Sequence, residues 1–243
     1  MTRLNDDLLL QYMSHFAGYG NLDGDYWMIG MEEGGGDSIE DIERRIAIWE
    51  QGGKNTLEDL KLYHDKLGET RWFGNQARLQ PTWNKLIRII HGIKGRSPQT
   101  EDIREYQKTQ LGNHDGETCL AELMPLPSPA TKHWLYSKVS DIRGLKSRES
   151  YVRNWGRIRL QSLTELINTH RPKNIVFYGA GHYQQWWSQL MPANHEMISI
   201  DGVKAYLGTR SGTVFAVSPH PVATGVKNSF FHDLGNAMRE ASH

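Results

Sequence analysis

Short apolar runs alternate with longer amphipathic stretches along the whole chain, and each run stops at glycine or proline. That pattern predicts strands at Tyr26–Gly30, Cys119–Met124 and Lys173–Tyr178, and a strand pair at Val203–Gly208 and Thr213–Ser218 around the turn Thr209–Gly212. It predicts helices over Leu4–Phe16, Ser38–Gln51, Thr56–Leu67, Thr82–Ile93, Pro98–Leu111, Glu149–His170 and Asn228–Glu240, with a further helix carrying Trp186 and Trp187. Ser38 with Asp41, and Pro81 before Thr82, are helix-start signals. Strands that alternate with helices pair in parallel, because each crossover returns the chain to the same edge-to-edge direction. The expected fold is therefore α/β, one domain over residues 1–243, with no repeat and no linker. In such sheets function sits in the loops at the carboxyl ends of the strands. Four loops qualify: Met31–Asp37, Pro125–Ala130, Gly179–His182 and Pro219–Lys227.

Composition narrows the classes. A single cysteine, Cys119, excludes a disulfide scaffold, a cysteine zinc site and a four-cysteine iron–sulfur cluster. No apolar run reaches membrane-spanning length, and the first residues lack the apolar core of a signal peptide, so a soluble, cytoplasmic protein is expected. The formal net charge is zero, yet residues 1–119 carry 20 acidic and 14 basic side chains, and residues 120–243 carry 8 and 14. Between Lys132 and Lys173 stand ten basic residues against three acidic ones. A polyanion would be drawn to that half; a solvated helix surface is the plainer explanation of the same charges.

The loops hold chemistry. Gly30-Met-Glu-Glu-Gly-Gly-Gly-Asp-Ser38 sets two acids among glycines. Acids repel phosphate, so a phosphate cradle is disfavoured and a water-activating carboxylate fits better; acids capping the following helix are the bland alternative. Glu122 interrupts an apolar strand, where a charge needs a partner, and a buried arginine would supply one. The prolines after it stiffen a binding wall. Gly179-Ala-Gly-His182 is too short a glycine pattern for a dinucleotide site and reads as a strand–helix turn. His220, between Pro219 and Pro221, is held in a stiff backbone suited to a fixed hydrogen bond. His182, His220, His232 and Asp233 show no helix-face metal spacing, and neither a metal nor a cofactor is expected.

The order of these loops resembles the uracil-DNA glycosylase superfamily. Gly30-Met-Glu-Glu-Gly34 sits at that family's water-activating motif, Glu122 at its base-recognition position and Ser218-Pro-His-Pro221 at its DNA-entering motif; Pro81–Ile87 resembles the helix after its stacking segment. The resemblance implies a three-layer sandwich around a central, mostly parallel four-stranded sheet, with residues 37–69 as a helical insertion after the first strand. It also implies base flipping and hydrolysis of an N-glycosidic bond in double-stranded DNA. Glu32, or alternatively Glu33, would orient water and stabilise the cationic sugar, and His220 would stabilise the departing base. Trp72 or Phe73 would stack on the base. Residues Val222–Val226 would wedge the duplex, and Lys132, Arg143, Lys146, Arg148 and Lys227 would contact phosphates.

Two departures bear on the substrate. Uracil-specific members carry asparagine where Glu122 stands, and an ionised carboxylate can only accept, which suits the amino group of cytosine. The uracil-specific branch also has a bulky tyrosine where Gly34 stands, followed here by Gly35 and Gly36, so the C5 side of the base is expected to be open. Together these point to a C5-modified cytosine, glucosylated or bare hydroxymethylcytosine, as found in some phage DNA. The superfamily includes a bacterial defence enzyme of that kind. A repair glycosylase for uracil or another deaminated base, and a non-catalytic sensor of modified DNA, are the competing readings.

Overall fold

The computed structural model describes residues 3–130 and 132–242. One eight-stranded mixed sheet organises the chain, in the order β3-β1-β4-β2-β5-β8-β7-β6. These strands are β1 (Gly18–Gly20), β2 (Tyr26–Glu32), β3 (Leu57–Glu58), β4 (Thr118–Met124), β5 (Asn174–Tyr178), β6 (Glu196–Ile200), β7 (Val203–Arg210) and β8 (Thr213–Ser218). The four in the centre, β4-β2-β5-β8, are mutually parallel. The helices are α1 (Asp6–His15), α2 (Ile39–Gln51), α3 (Leu60–Leu67), α4 (Pro81–Ile93), α5 (Thr100–Thr109), α6 (Tyr136–Val139), α7 (Arg148–His170) and α8 (Asn228–Glu240).

The start signals act as read. The Ser38 side chain accepts from the Asp41 amide, and Pro81 occupies the first turn of α4, where its missing N–H costs nothing. β5 is buried along its whole length, as a strand covered on both faces must be. Helices α4 and α8 touch backbone to backbone at Gly92 and Gly235, where a Cβ would stand 2.2 Å from a carbonyl oxygen of the other helix.

The sheet departs from the four-stranded expectation because its edges grow by pairing rather than by propensity. Gly18-Tyr-Gly20 is too short to signal a strand, but it lies antiparallel to β4, with Gly18 at φ +144°, where a Cβ would stand 2.0 Å from the Leu120 carbonyl oxygen. That contact admits only glycine. β6 is an exposed edge held by β7. The helix expected over 56–67 begins only at Leu60, since Leu57 and Glu58 pair with β1, so residues 37–69, expected as a helical insertion, hold a strand, β3, as well as α2 and α3. No α-helix forms around Trp186 and Trp187. Two 3-10 turns, 180–182 and 187–189, replace it, with Trp187 buried and its indole N–H donating to the Gly179 carbonyl at 3.1 Å. No described helix is long and apolar enough to cross a membrane.

Candidate active site

Because β4, β2, β5 and β8 run parallel, the loops that follow them emerge at one end of the sheet. Residues from three of them line a cavity of about 550 Å³, together with His64, Glu69, Trp72 and the first turns of α4.

Its floor is a single cross-strand row. Gly30 pairs in register with Glu122, and Ile29 with Phe177, so Glu122, Gly30 and Tyr178 stand side by side on adjacent strands. The empty place above Gly30 lets the two outer side chains meet: the Tyr178 hydroxyl donates to Glu122 Oε1 at 2.5 Å. A Cβ at Gly30 would lie 2.3 Å from Glu122 Oε2 and from the Tyr178 hydroxyl. The glycine read from sequence as the start of a loop is the spacer of this pair, and Tyr178 is a site residue that sequence reasoning missed.

Glu122 has no arginine on its side chain. Arg159, the nearby buried cation, instead donates to the Leu123, Ser14 and Glu122 backbone carbonyls. Glu122 Oε2 is buried without a partner. Burial first, and the neighbouring Glu33 and Glu32 next, push its pKa up to about 8 against the pull of Tyr178. The group is therefore neutral at pH 7 and carries one donor and one acceptor. This corrects the argument that Glu122 only accepts: a neutral carboxyl serves N3 and the amino group of cytosine, and serves uracil too.

Glu32 and Glu33 diverge. Glu33 Oε1 receives the Tyr19 hydroxyl and Arg45 Nη1, the latter at 2.9 Å, and Arg45 Nε reaches Asp41 at 2.9 Å. The Glu33 carbonyl also accepts from the Ser128 amide at 3.0 Å, tying the acidic loop to the proline loop. Burial raises the Glu33 pKa, opposed by Arg45 and Tyr19. Glu32 has one partner, the Arg148 guanidinium, while its Oε1 is buried and free. Burial, partly offset by Arg148, brings Glu32 to about 7. Its proton is thus gained and lost near neutrality, as a general base requires.

His220 lies on the rim, its ring edge-on to Tyr178 at 5.9 Å. The Val222 amide donates to its Nδ1 at 3.3 Å, so the neutral ring carries its proton on Nε2. Burial and the nearby His182 hold its pKa below the ordinary value. The neutral imidazole is a fixed donor.

Several expected residues take other places. Arg148, read as a phosphate contact, is drawn onto Glu32, because α7 begins beside the acidic loop. Trp72 lines the cavity, but Phe73 is buried against His64 and Trp83 and cannot stack on a ligand there. Val222 is exposed, whereas Val226 packs against the core where the chain enters α8. Lys132, Arg143, Lys146 and Lys227 are exposed. Nothing lies within 4 Å of a Cβ built on Gly34, so the cavity is open there. Gly35, at φ +108°, faces the Arg45 guanidinium. Among the described residues no group of three or more His, Cys, Asp or Glu is placed to hold a metal ion, and His232 is spent on the Arg96 carbonyl. No family model and no curated protein matches the chain.

Proposed function

We propose that the protein is a monofunctional DNA glycosylase of uracil-DNA glycosylase type that hydrolyses the N-glycosidic bond of a flipped C5-modified cytosine, glucosylated or bare hydroxymethylcytosine, and leaves an abasic site. One observation carries the reading: Glu32 with a free buried oxygen, the Glu122–Tyr178 pair and the His220 ring, held at Nδ1 by the Val222 amide, border one cavity that stays open past Gly34. The parallel order β4-β2-β5-β8 supports it, because that order sets the three groups on neighbouring strand ends.

In this mechanism the nucleotide leaves the stack, with Val222 filling the gap, and the base enters over the Glu122–Tyr178 pair. The base ring stacks on Trp72. Glu122 donates from Oε2 to N3 and accepts the amino group at Oε1, which still has a free lone pair beside Tyr178. As C1′–N1 breaks, negative charge grows on the base and is met at O2 by His220 Nε2–H. Ionised Glu32 stabilises the cationic sugar and takes a proton from the attacking water. Glu33 positions the loop through Tyr19 and Arg45. The exposed cations Lys132, Arg143, Lys146 and Lys227 hold phosphates. Phage DNA is the source of such bases, so defence is the role that follows.

The neutral state of Glu122 favours one second reading, a repair enzyme for uracil, because a neutral carboxyl also pairs with O4 and N3–H. Base release from duplexes with uracil, hydroxymethylcytosine and its glucosylated form separates the two. Release only from modified cytosine is expected, with about a hundredfold loss or more in Glu32→Gln and His220→Ala. Uracil release would favour repair, and binding without release from any duplex would leave a sensor of modified DNA.

A further inference from the structure

A general base beside a sugar has to present one oxygen to water and keep it there. The terminal torsion of a glutamate is broad, so a lone carboxylate does not hold its aim. Glu32 is not alone. Its Oε2 forms an ion pair with Arg148 Nη2, and its Oε1 is buried with no partner among the described residues. Glu32 lines the cavity, and Arg148 does not. The cation therefore reaches the carboxylate from the α7 side, behind the cavity wall.

That placement sets Arg148 apart from the other cations. It opens α7 directly after the Ser147 cap, whose side chain accepts from the Ser150 amide, so helix geometry fixes its backbone. Its side chain is 20 % exposed and that of Glu32 8 %, whereas Lys132, Arg143 and Lys146 stand in solvent. Arg148 Nη1 is buried with no partner among the described residues. A buried ion pair with a spare donor is a poor source of stability, because desolvation takes back much of the attraction. It is a good source of aim. A cation facing the reacting sugar would oppose the positive charge growing there, and one behind the carboxylate holds the oxygen without meeting the sugar. The other titratable groups that face Glu32 are Glu122 on β4, Tyr136 on α6 and Tyr151 on α7. Burial keeps both tyrosines protonated, and Glu122 is neutral at pH 7. Burial drives the Glu32 pKa up, and Arg148 is what pulls it down. Arg148 also lies near His182, and burial first, then Arg148, hold that ring below its ordinary pKa.

We propose that Arg148 is the positioning residue of this site: it holds Oε2 of Glu32 from behind the cavity and so aims Oε1 at the attacking water. The proposal rests on the glycosylase reading, and it gives Arg148 a role other than the phosphate contact expected from sequence. As the water oxygen bonds to C1′, its proton passes to Glu32 Oε1, and the base leaves with the electron pair of the C1′–N1 bond.

Arg148→Met and Arg148→Lys test it, with circular dichroism as the check on folding; the lysine keeps the charge and serves alone if the methionine does not fold. The first readout needs no activity. A carbon-13 NMR titration follows the Glu32 carboxyl in the free protein, assigned by its loss in Glu32→Gln. Its midpoint, near 7 in the parent, should rise by about one unit or more in Arg148→Met and by less in Arg148→Lys. The second readout is single-turnover base release from a duplex with modified cytosine. At pH 7 it should fall about tenfold or more in Arg148→Met, with the acid limb moved to higher pH in step with the carboxyl, and Arg148→Lys should recover part of the loss. Duplex affinity should stay within about threefold, with the same salt slope. An unmoved Glu32 midpoint would overturn the proposal. So would weaker binding with a salt slope lower by about one, the mark of a phosphate contact, or equal losses in both variants with the acid limb in place. Absence of base release from every duplex would overturn the glycosylase reading and the role in the reaction with it, and the carboxyl titration would still decide whether Arg148 holds Glu32.

Discussion

If Glu32 works ionised and Glu122 works neutral, the reaction has a narrow pH window. Glu32 titrates at about 7 and Glu122 at about 8, so the working form peaks midway between them. From that optimum, activity should fall about sixfold by about pH 6 and again by about pH 9. Because the two acids interact, the limbs belong to the pair. Glu122→Gln removes one of them: the amide keeps a donor and an acceptor but never ionises, so the alkaline limb should vanish while the acid limb remains. Stability should follow with a definite sign. The Glu122 pKa is raised from 4.5 to about 8, so its contribution is full below 4.5 and is lost as pH rises through 8. Glu122→Gln should therefore gain stability relative to the parent as pH rises, by at most about 5 kcal/mol above pH 8 and by nothing near pH 4. Single-turnover base release read by alkaline strand cleavage, with thermal melts at the same pH values, measures both. An alkaline limb that survives in Glu122→Gln, or a stability gain over the parent no larger at pH 9 than at pH 5, would refute the neutral-carboxyl argument.

Three further outcomes are expected. Gly30→Ala places a methyl 2.3 Å from Glu122 and Tyr178, so it should cost about 1–3 kcal/mol in a denaturant melt and most of the activity. A Cβ at Gly34 meets nothing within 4 Å, so Gly34→Tyr should change the melt little, yet lower release of a substituted base at least tenfold relative to an unsubstituted one; equal release would close the argument from the open side. Replacing Lys132, Arg143 and Lys146 one at a time by Ala should weaken DNA binding without altering base preference, each lowering the slope of log affinity against log salt by about one.

The sequence by itself determined the local structure and the inventory of chemistry. Short apolar runs, a hydrophobic period near 3.6, the Ser38 cap, Pro81 and the glycine and proline stops mark the central strands and most helices, because those signals act within a few residues. The same stops place Glu33 and His220 in loops at strand ends and show Glu122 as a charge within an apolar run, whereas Glu32, read from sequence as loop, is the last residue of β2, paired with Met124. What only the tertiary structure decided is which groups meet. Tyr178 reaches Glu122 across 56 residues of chain, because strand order and register set both beside Gly30, and no local pattern encodes an order of strands. Arg148 looks in sequence like one more cation of a basic helix, and the docking of α7 gives it to Glu32. Phe73 and Trp72 are neighbours of equal apparent promise, and packing buries one and leaves the other on the cavity. The ionisation of Glu122 was decided in the same way: a side chain's charge state depends on the water and the partners the fold leaves it, and here the fold leaves a tyrosine, two nearby acids and no cation.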